Sequence, residues 1–270
     1  MRRILSTLIF LAVTSPALLC YGQQPDSLAL EQAIRHLKDP DWKDRSAAFH
    51  KLLGMRSVGA EPRSALAGLL RKWPDKSDEI KLALIKLLEK ENVVTRERSD
   101  LFLREYAKKG PDMPDPFPDG EERSEYYATV VAAVTSLRDT RSLDALLGAI
   151  QTGGMVTSAL AGLGSAALDR VIEALNSSDA GIRLSAGIVL GKMLDAENAP
   201  RVNDPVSRQK IKGALIRAAG DRSPNVRLAG VQGLPKLGDR DVTPLIQNLA
   251  TSDPAKQVRD AANEALKKLR

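Results

Sequence analysis

Four segments of the chain line up on a shared arginine: "DWKDRSAAFHKLLGM" on Arg45, "DAGIRLSAGIVLGKM" on Arg183, "SPNVRLAGVQGLPKLG" on Arg227 and "AKQVRDAANEALKKLR" on Arg259. Three places after each arginine stands a small residue, Ala48, Ala186, Gly230 or Ala262. Seven places after stands Leu52, Leu190, Leu234 or Leu266, and ten places after stands Met55, Met193, Leu237 or Leu269. These offsets share one face of an α-helix. The small residue lets a neighbouring helix come close, and the large ones fill the space beyond it. Cap-like residues precede each helix (Asp39 or Asp41, Asp179, Ser223, Asp253), and Pro40, Pro224 and Pro254 stand near the first turn, where proline is tolerated. Upstream, "ALEQAIRHL", "ALDRVIEAL" and "VTPLIQNL" repeat Leu or Ile at helical spacing. The repeated unit is therefore a pair of antiparallel helices. Such a unit buries its apolar face only by stacking on its neighbours, so the chain is constrained to a helical array.

Weaker copies fill the rest. "EPRSALAGLLRKW" as first and "KSDEIKLALIKLLEKE" as second helix read as a second pair. "TRERSDLFLREYAKK" with "RSEYYATVVAAVTSL" reads as a third, and "TRSLDALLGAI" with "GGMVTSALAGLG" as a fourth. That makes about seven units. Aromatics are 4% of the chain against 43% hydrophobic residues, which suits Leu- and Ala-rich helix packing, and no segment alternates like a strand for more than a few residues. "KGPDMPDPFPDGEER", with four prolines and five acidic residues, predicts an exposed insertion loop at 109–123. Pro235 falls near the end of its helix and should bend or stop it.

The arginine pattern, the preceding Asp or Ser and the "LG" endings resemble HEAT repeats, of the bacterial kind called PBS-lyase HEAT-like. The resemblance implies an all-α, right-handed α-solenoid of about seven two-helix repeats, with the second helices lining the concave side. It also implies a structural ladder in which the arginine and a turn aspartate bond neighbouring units. Carried onto this sequence, that ladder comprises Asp179, Arg183, Arg227, Asp253 and Arg259. At the Arg227 unit the turn residue is Ser223, so the rung there requires Asp221 as a substitute.

The first residues, "MRRILSTLIFLAVTSPALLCYG", have a short basic start, an apolar run and small residues before a cut after Gly22, the layout of a secretory signal peptide at 1–22. The stretch is broken by Pro16 and falls short of the roughly 20 apolar residues of a spanning helix. Residues 23–270 are then one solenoid in a secreted or periplasmic protein. Cleavage removes Cys20, the only cysteine; a lipidated Cys20 is disfavoured by the bulk of Leu19. Without Arg2 and Arg3 the formal charge falls from +6 to +4. That mild balance is the mark of a solvated surface and not of a nucleic-acid footprint.

Little in the sequence supports catalysis. The two histidines, His36 and His50, are followed by Leu37 and Lys51, so the His-Glu pairs of the iron-binding hydroxylase branch of HEAT-like proteins are absent. No HExxH and no cysteine pair marks a zinc site. Gly162, Gly164 and Ala167 match a loose GxGxxA pattern, but a helix precedes them where a dinucleotide site needs a strand. Asp112, Asp115, Asp119, Glu121 and Glu122 lack EF-hand spacing. Asn176-Ser177-Ser178 matches a glycosylation acceptor, a motif frequent by chance. No metal and no cofactor are expected.

The positions one, five and nine places after the arginine point away from the packed face. They give Leu184, Ile188 and Lys192 in one unit and Leu228, Gln232 and Lys236 in the next. Two readings stand for this set: a docking strip with an apolar floor and a basic edge, or lysines favoured near helix C-termini and leucines packed on the next unit. The expected function is an exported, non-catalytic scaffold that binds a protein or peptide of the cell envelope on its concave face. The alternative is a lyase-like or hydroxylase-like HEAT enzyme.

Overall fold

A computed structural model describes residues 27–55, 62–72, 76–91 and 120–269. The signal peptide expected at 1–22 with Cys20, the first helix expected for the third pair, and residues 109–119 of the expected loop lie outside the described residues. Among the described residues there are thirteen α-helices, a few short 3-10 turns and no strand.

The regular part of the array is its C-terminal half. Four helical hairpins follow one another: α6 (Leu143–Gly148) with α7 (Gly154–Gly162), α8 (Ser165–Ala174) with α9 (Ala180–Met193), α10 (Pro205–Ala219) with α11 (Pro224–Gly233), and α12 (Thr243–Ser252) with α13 (Lys256–Lys268). The second helices stack in a row in which α7 touches α9, α9 touches α11 and α11 touches α13. The row begins with α5 (Gly120–Leu137), which packs on α7. The first helices form a parallel layer, and α8 touches α10 within it. Two layers of helices around one continuous Leu-, Val- and Ala-rich core define an α-solenoid.

Close approach within this array depends on the small residues. A methyl group added to Gly230 would lie 2.4 Å from the Ala219 backbone nitrogen and 2.8 Å from the Leu215 carbonyl oxygen, so α11 seats its glycine directly on the α10 backbone. A methyl added to Gly187 of α9 would lie 3.1 Å from the Ala229 methyl, and one added to Gly191 would lie 3.6 Å from the Gly233 Cα. Inner helices are therefore enclosed almost all round: in α9, Arg183, Ala186, Gly187, Val189, Leu190, Gly191 and Met193 are all buried. In α13 only Val258, Ala262 and Ala265 are.

Pro235 acts as expected. Regular α11 stops at Gly233 and the chain continues as a 3-10 turn, Leu234–Leu237, closed by Gly238 in the left-handed region at φ 67°. Proline cannot donate the next helical bond, and glycine accepts the left-handed conformation without strain. Gly162 and Gly164 end α7 and turn the chain into α8. They serve as helix punctuation, with a helix on either side.

The N-terminal units depart from the expected pairing. Here α1 (Ser27–His36) and α2 (Trp42–Gly54) make the first hairpin, followed by α3 (Pro62–Lys72) and helix α4 at 77–91. Lys76, just before α4, pairs with Glu31 of α1 at 3.6 Å, and Lys90 near its end donates to the Lys38 carbonyl at 2.9 Å. Helix α4 thus runs beside α1 in the same direction, in the first-helix layer, whereas the sequence pairing made it a second helix. Meanwhile α3 packs against α2 and α5. Periodicity identifies a helix but does not say which layer receives it. The expected loop is also shorter at one end. Residues 120–123 are the first turn of α5, because the last proline is Pro118 and nothing beyond it opposes a helix.

Candidate functional site

Each of the four aligned arginines is the fourth residue of its helix and makes the same local bonds. Arg183 Nη1 donates to the carbonyls of Ser177 and Ser178 at 2.8 and 2.9 Å. Arg227 Nη1 donates to those of Asp221 and Arg222 at 3.0 and 3.3 Å. Arg259 does so to Asp253 and Pro254 at 2.6 and 3.1 Å, and Arg45 to Asp39 and Pro40 at 2.9 and 2.8 Å. One edge of the guanidinium thus satisfies the two turn carbonyls six and five places upstream.

The other edge reaches the next unit. Arg183 Nε and Nη2 grip Asp221 Oδ2 and Oδ1 at 2.8 and 3.1 Å, and Arg227 grips Asp253 in the same way at 2.7 and 2.8 Å. These are two-pronged pairs whose planar geometry arginine supplies and lysine does not. They are shielded: the Arg183 and Arg227 side chains are 6% and 12% exposed, and Asp253 is 2% exposed. The Arg183 guanidinium holds the Asp221 carboxyl below the usual carboxylate range, and Arg227 does the same to Asp253. Each aspartate has a third task. Asp221 Oδ1 accepts the Ser223 N–H and Asp253 Oδ1 accepts the Ala255 N–H, both at 2.8 Å, which folds the turn that starts the helix.

The ladder is therefore real but differs in register from the sequence expectation. The acceptor stands six places before the next arginine, so Asp221 fills the rung at which Ser223 was aligned. Asp179, four places before Arg183, instead caps α9 by accepting the Gly181 N–H at 2.7 Å. The place six before Arg183 belongs to Ser177, whose hydroxyl accepts the Asp179 N–H at 3.1 Å. In the first unit Arg45 turns to Glu91 at the end of α4. Both groups are buried, with Arg45 Nε 3.1 Å from Glu91 Oε1. Beside them Tyr126 of α5 packs its ring edge-on against Phe49, with centroids 4.8 Å apart, and its buried hydroxyl has no hydrogen-bond partner among the described residues. Burial, reinforced by the Glu91 charge, pushes that phenol well above its ordinary pKa.

The residues of the expected docking strip fall along the second-helix row, in three different environments. Ile188 is 37% exposed and Gln232 is also exposed. Leu184 and Leu228 are half-buried and packed on the core. Both lysines are engaged with the preceding unit: Lys192 Nζ lies 2.7 Å from Ser158 Oγ, and Lys236 Nζ lies 3.1 Å from the Gly191 carbonyl and 2.5 Å from Asp195 Oδ1. The lysine column is thus a set of staples between neighbouring units. Sequence spacing found its periodicity but not its partners, which stand 34 to 45 residues away.

Neither histidine forms a site. His36 stands 3.7 Å from Asp39 on the surface, and exposed His50 lies edge-on to Phe49. Among the described residues no group of three or more His, Cys, Asp or Glu is placed to hold a metal ion, and no helix is long and apolar enough to cross a membrane.

Paired helices in two layers, with arginines clasping one turn to the next, define a helical-repeat scaffold fold. Residues 201–267, from just before α10 to the last turn of α13, match the family model for HEAT repeats. No curated protein matches the sequence. The solved structures to which the chain is similar include two at 16% identity. One is the designed armadillo repeat protein YIII(Dq)4CqI, with 89% of this chain and 100% of that chain covered at a TM-score of 0.39. The other is human deoxyhypusine hydroxylase in complex with glycerol, with 90% of this chain and 96% of that chain covered at a TM-score of 0.34.

Proposed function

We propose that the chain is an exported, non-catalytic HEAT-repeat scaffold that binds a protein or peptide of the cell envelope along its second-helix row. The observation that carries this reading is the strip on α9 and α11. Ile188 and Gln232 face solvent on adjacent units, flanked by the half-buried Leu184 and Leu228 and framed by the Lys192 and Lys236 staples. Repeat scaffolds present such extended side-chain rows to their ligands. Export rests on the leader at 1–22. The non-catalytic part rests on the two histidines, neither of which begins a His-Glu pair, and on the loss of Cys20 with the leader.

A photocrosslinking amino acid placed at Ile188 or Gln232 in the native host tests the face. The same envelope protein should be captured from both positions and not from Gln209, exposed on α10 in the other layer. Equal capture from Gln209 would overturn the assignment. Mass analysis of the exported chain should show an N-terminus at Gln23. Stoichiometric iron or zinc in the purified protein would move the reading to the enzyme alternative.

A further inference from the structure

The ladder has a gap, and a cleft opens beside it in the first-helix layer. Counted from the helix start, the fourth residue of α7 is Thr157, where α2, α9, α11 and α13 have arginine. Its hydroxyl turns inward to the Gly154 carbonyl at 3.0 Å. The matching acceptor in the next unit is Ser177, where the two following units have Asp221 and Asp253. Both halves of the rung are missing at the same junction, between α6–α7 and α8–α9. The polar links that cross it, Lys192 to Ser158 at 2.7 Å and Arg170 to Asp144 at 3.0 Å, are solvent-exposed. Exposed links of this kind hold less firmly than the shielded two-pronged pairs of the following units. On the first-helix side, α6 is only six residues long. A cleft of about 410 Å³ opens there, with Leu147, Ile150, Ala174 and Ile182 in its walls. Two glycines with positive φ, Gly153 and Gly164, bracket α7.

We propose that this junction is the hinge of the solenoid. The units from α8 to α13, clasped by two part-buried arginine–aspartate pairs, move as one body, and α5 to α7 move against them. Stacked repeats touch only their neighbours, so one weak interface divides the array into two cooperative blocks.

Distance distributions between paired spin labels test this on the full chain carrying Cys20→Ser. One pair, at Ser136 and Gln209, spans the junction; a control pair at Ser165 and Asn248 lies within the clasped block, and all four positions are exposed. The first pair should give the broader distribution. Thr157→Arg with Ser177→Asp supplies the missing rung and should narrow the first distribution to the width of the control. Arg183→Thr with Asp221→Ser copies the natural gap one unit later and should broaden the control. Equal widths for the two pairs in the unmodified protein would overturn the hinge, whatever either double variant does. So would a folded Thr157→Arg/Ser177→Asp variant whose first distribution stays broad.

Discussion

At the scale of single residues, each ladder aspartate folds its own turn, receives the preceding arginine, and lends its carbonyl to its own arginine. Asp253→Asn keeps the turn bond but removes the charge opposite Arg227. It should lower stability by roughly 2 kcal/mol, the usual worth of a hydrogen bond to a charged group, read as a shift in urea midpoint. Asp221 and Asp253 have folded-state pKa values depressed by their arginines. The stabilisation they provide is fully present above the ordinary carboxylate pKa of about 4, and it drains away as pH falls through the depressed folded values. The Asp221→Asn/Asp253→Asn variant should therefore melt lower than the parent at neutral pH and converge on it in strong acid, as followed by circular dichroism. Near the other end of the array, Tyr126→Phe removes a buried hydroxyl that has no partner among the described residues. It should leave stability unchanged or raise it by about 1 kcal/mol, because only a desolvation cost is lost.

At the scale of helices, packing decides what glycine is worth. Gly230→Ala drives a methyl into the α10 backbone and should cost about 2 kcal/mol of overpacking, whereas Gly213→Ala on exposed α10 meets nothing within 4 Å and should stabilise by about 0.5–1 kcal/mol. Thermal melts of the two variants should move in opposite directions. The helices themselves were legible in the sequence because three-four periodicity and cap residues are local signals. The arginine was legible as a ladder element through the family resemblance, and its position in the helix was constant. The acceptor was misplaced by two residues at Asp179, because an aspartate four places upstream and one six places upstream look alike in sequence and differ only in whether they cap or clasp. The layer taken by α4 was not legible at all. It depends on Lys76, Lys90 and Glu91 meeting residues of the first hairpin, contacts between positions 45 or more apart.

At the scale of the whole molecule, the array is one core with unequal joints, and its candidate face is assembled from residues that no single unit holds. Ile188→Asp should leave helicity unchanged and stability within about 0.5 kcal/mol, since the side chain is already exposed, while abolishing capture of the partner by a crosslinker at Gln232. The Leu184→Asp/Leu228→Asp pair should unfold the α9–α11 region instead, because those side chains lie on the core. Far-ultraviolet circular dichroism separates the two outcomes.

Both arginine–aspartate clasps point forward along the chain: a guanidinium closes the bend behind it and takes hold of the bend ahead. Damage at Arg227 would therefore loosen two bends together. Arg259, with its own bend closed and no later one among the described residues to seize, marks the place where an engineer could add a unit bearing an acidic residue six positions ahead of its arginine.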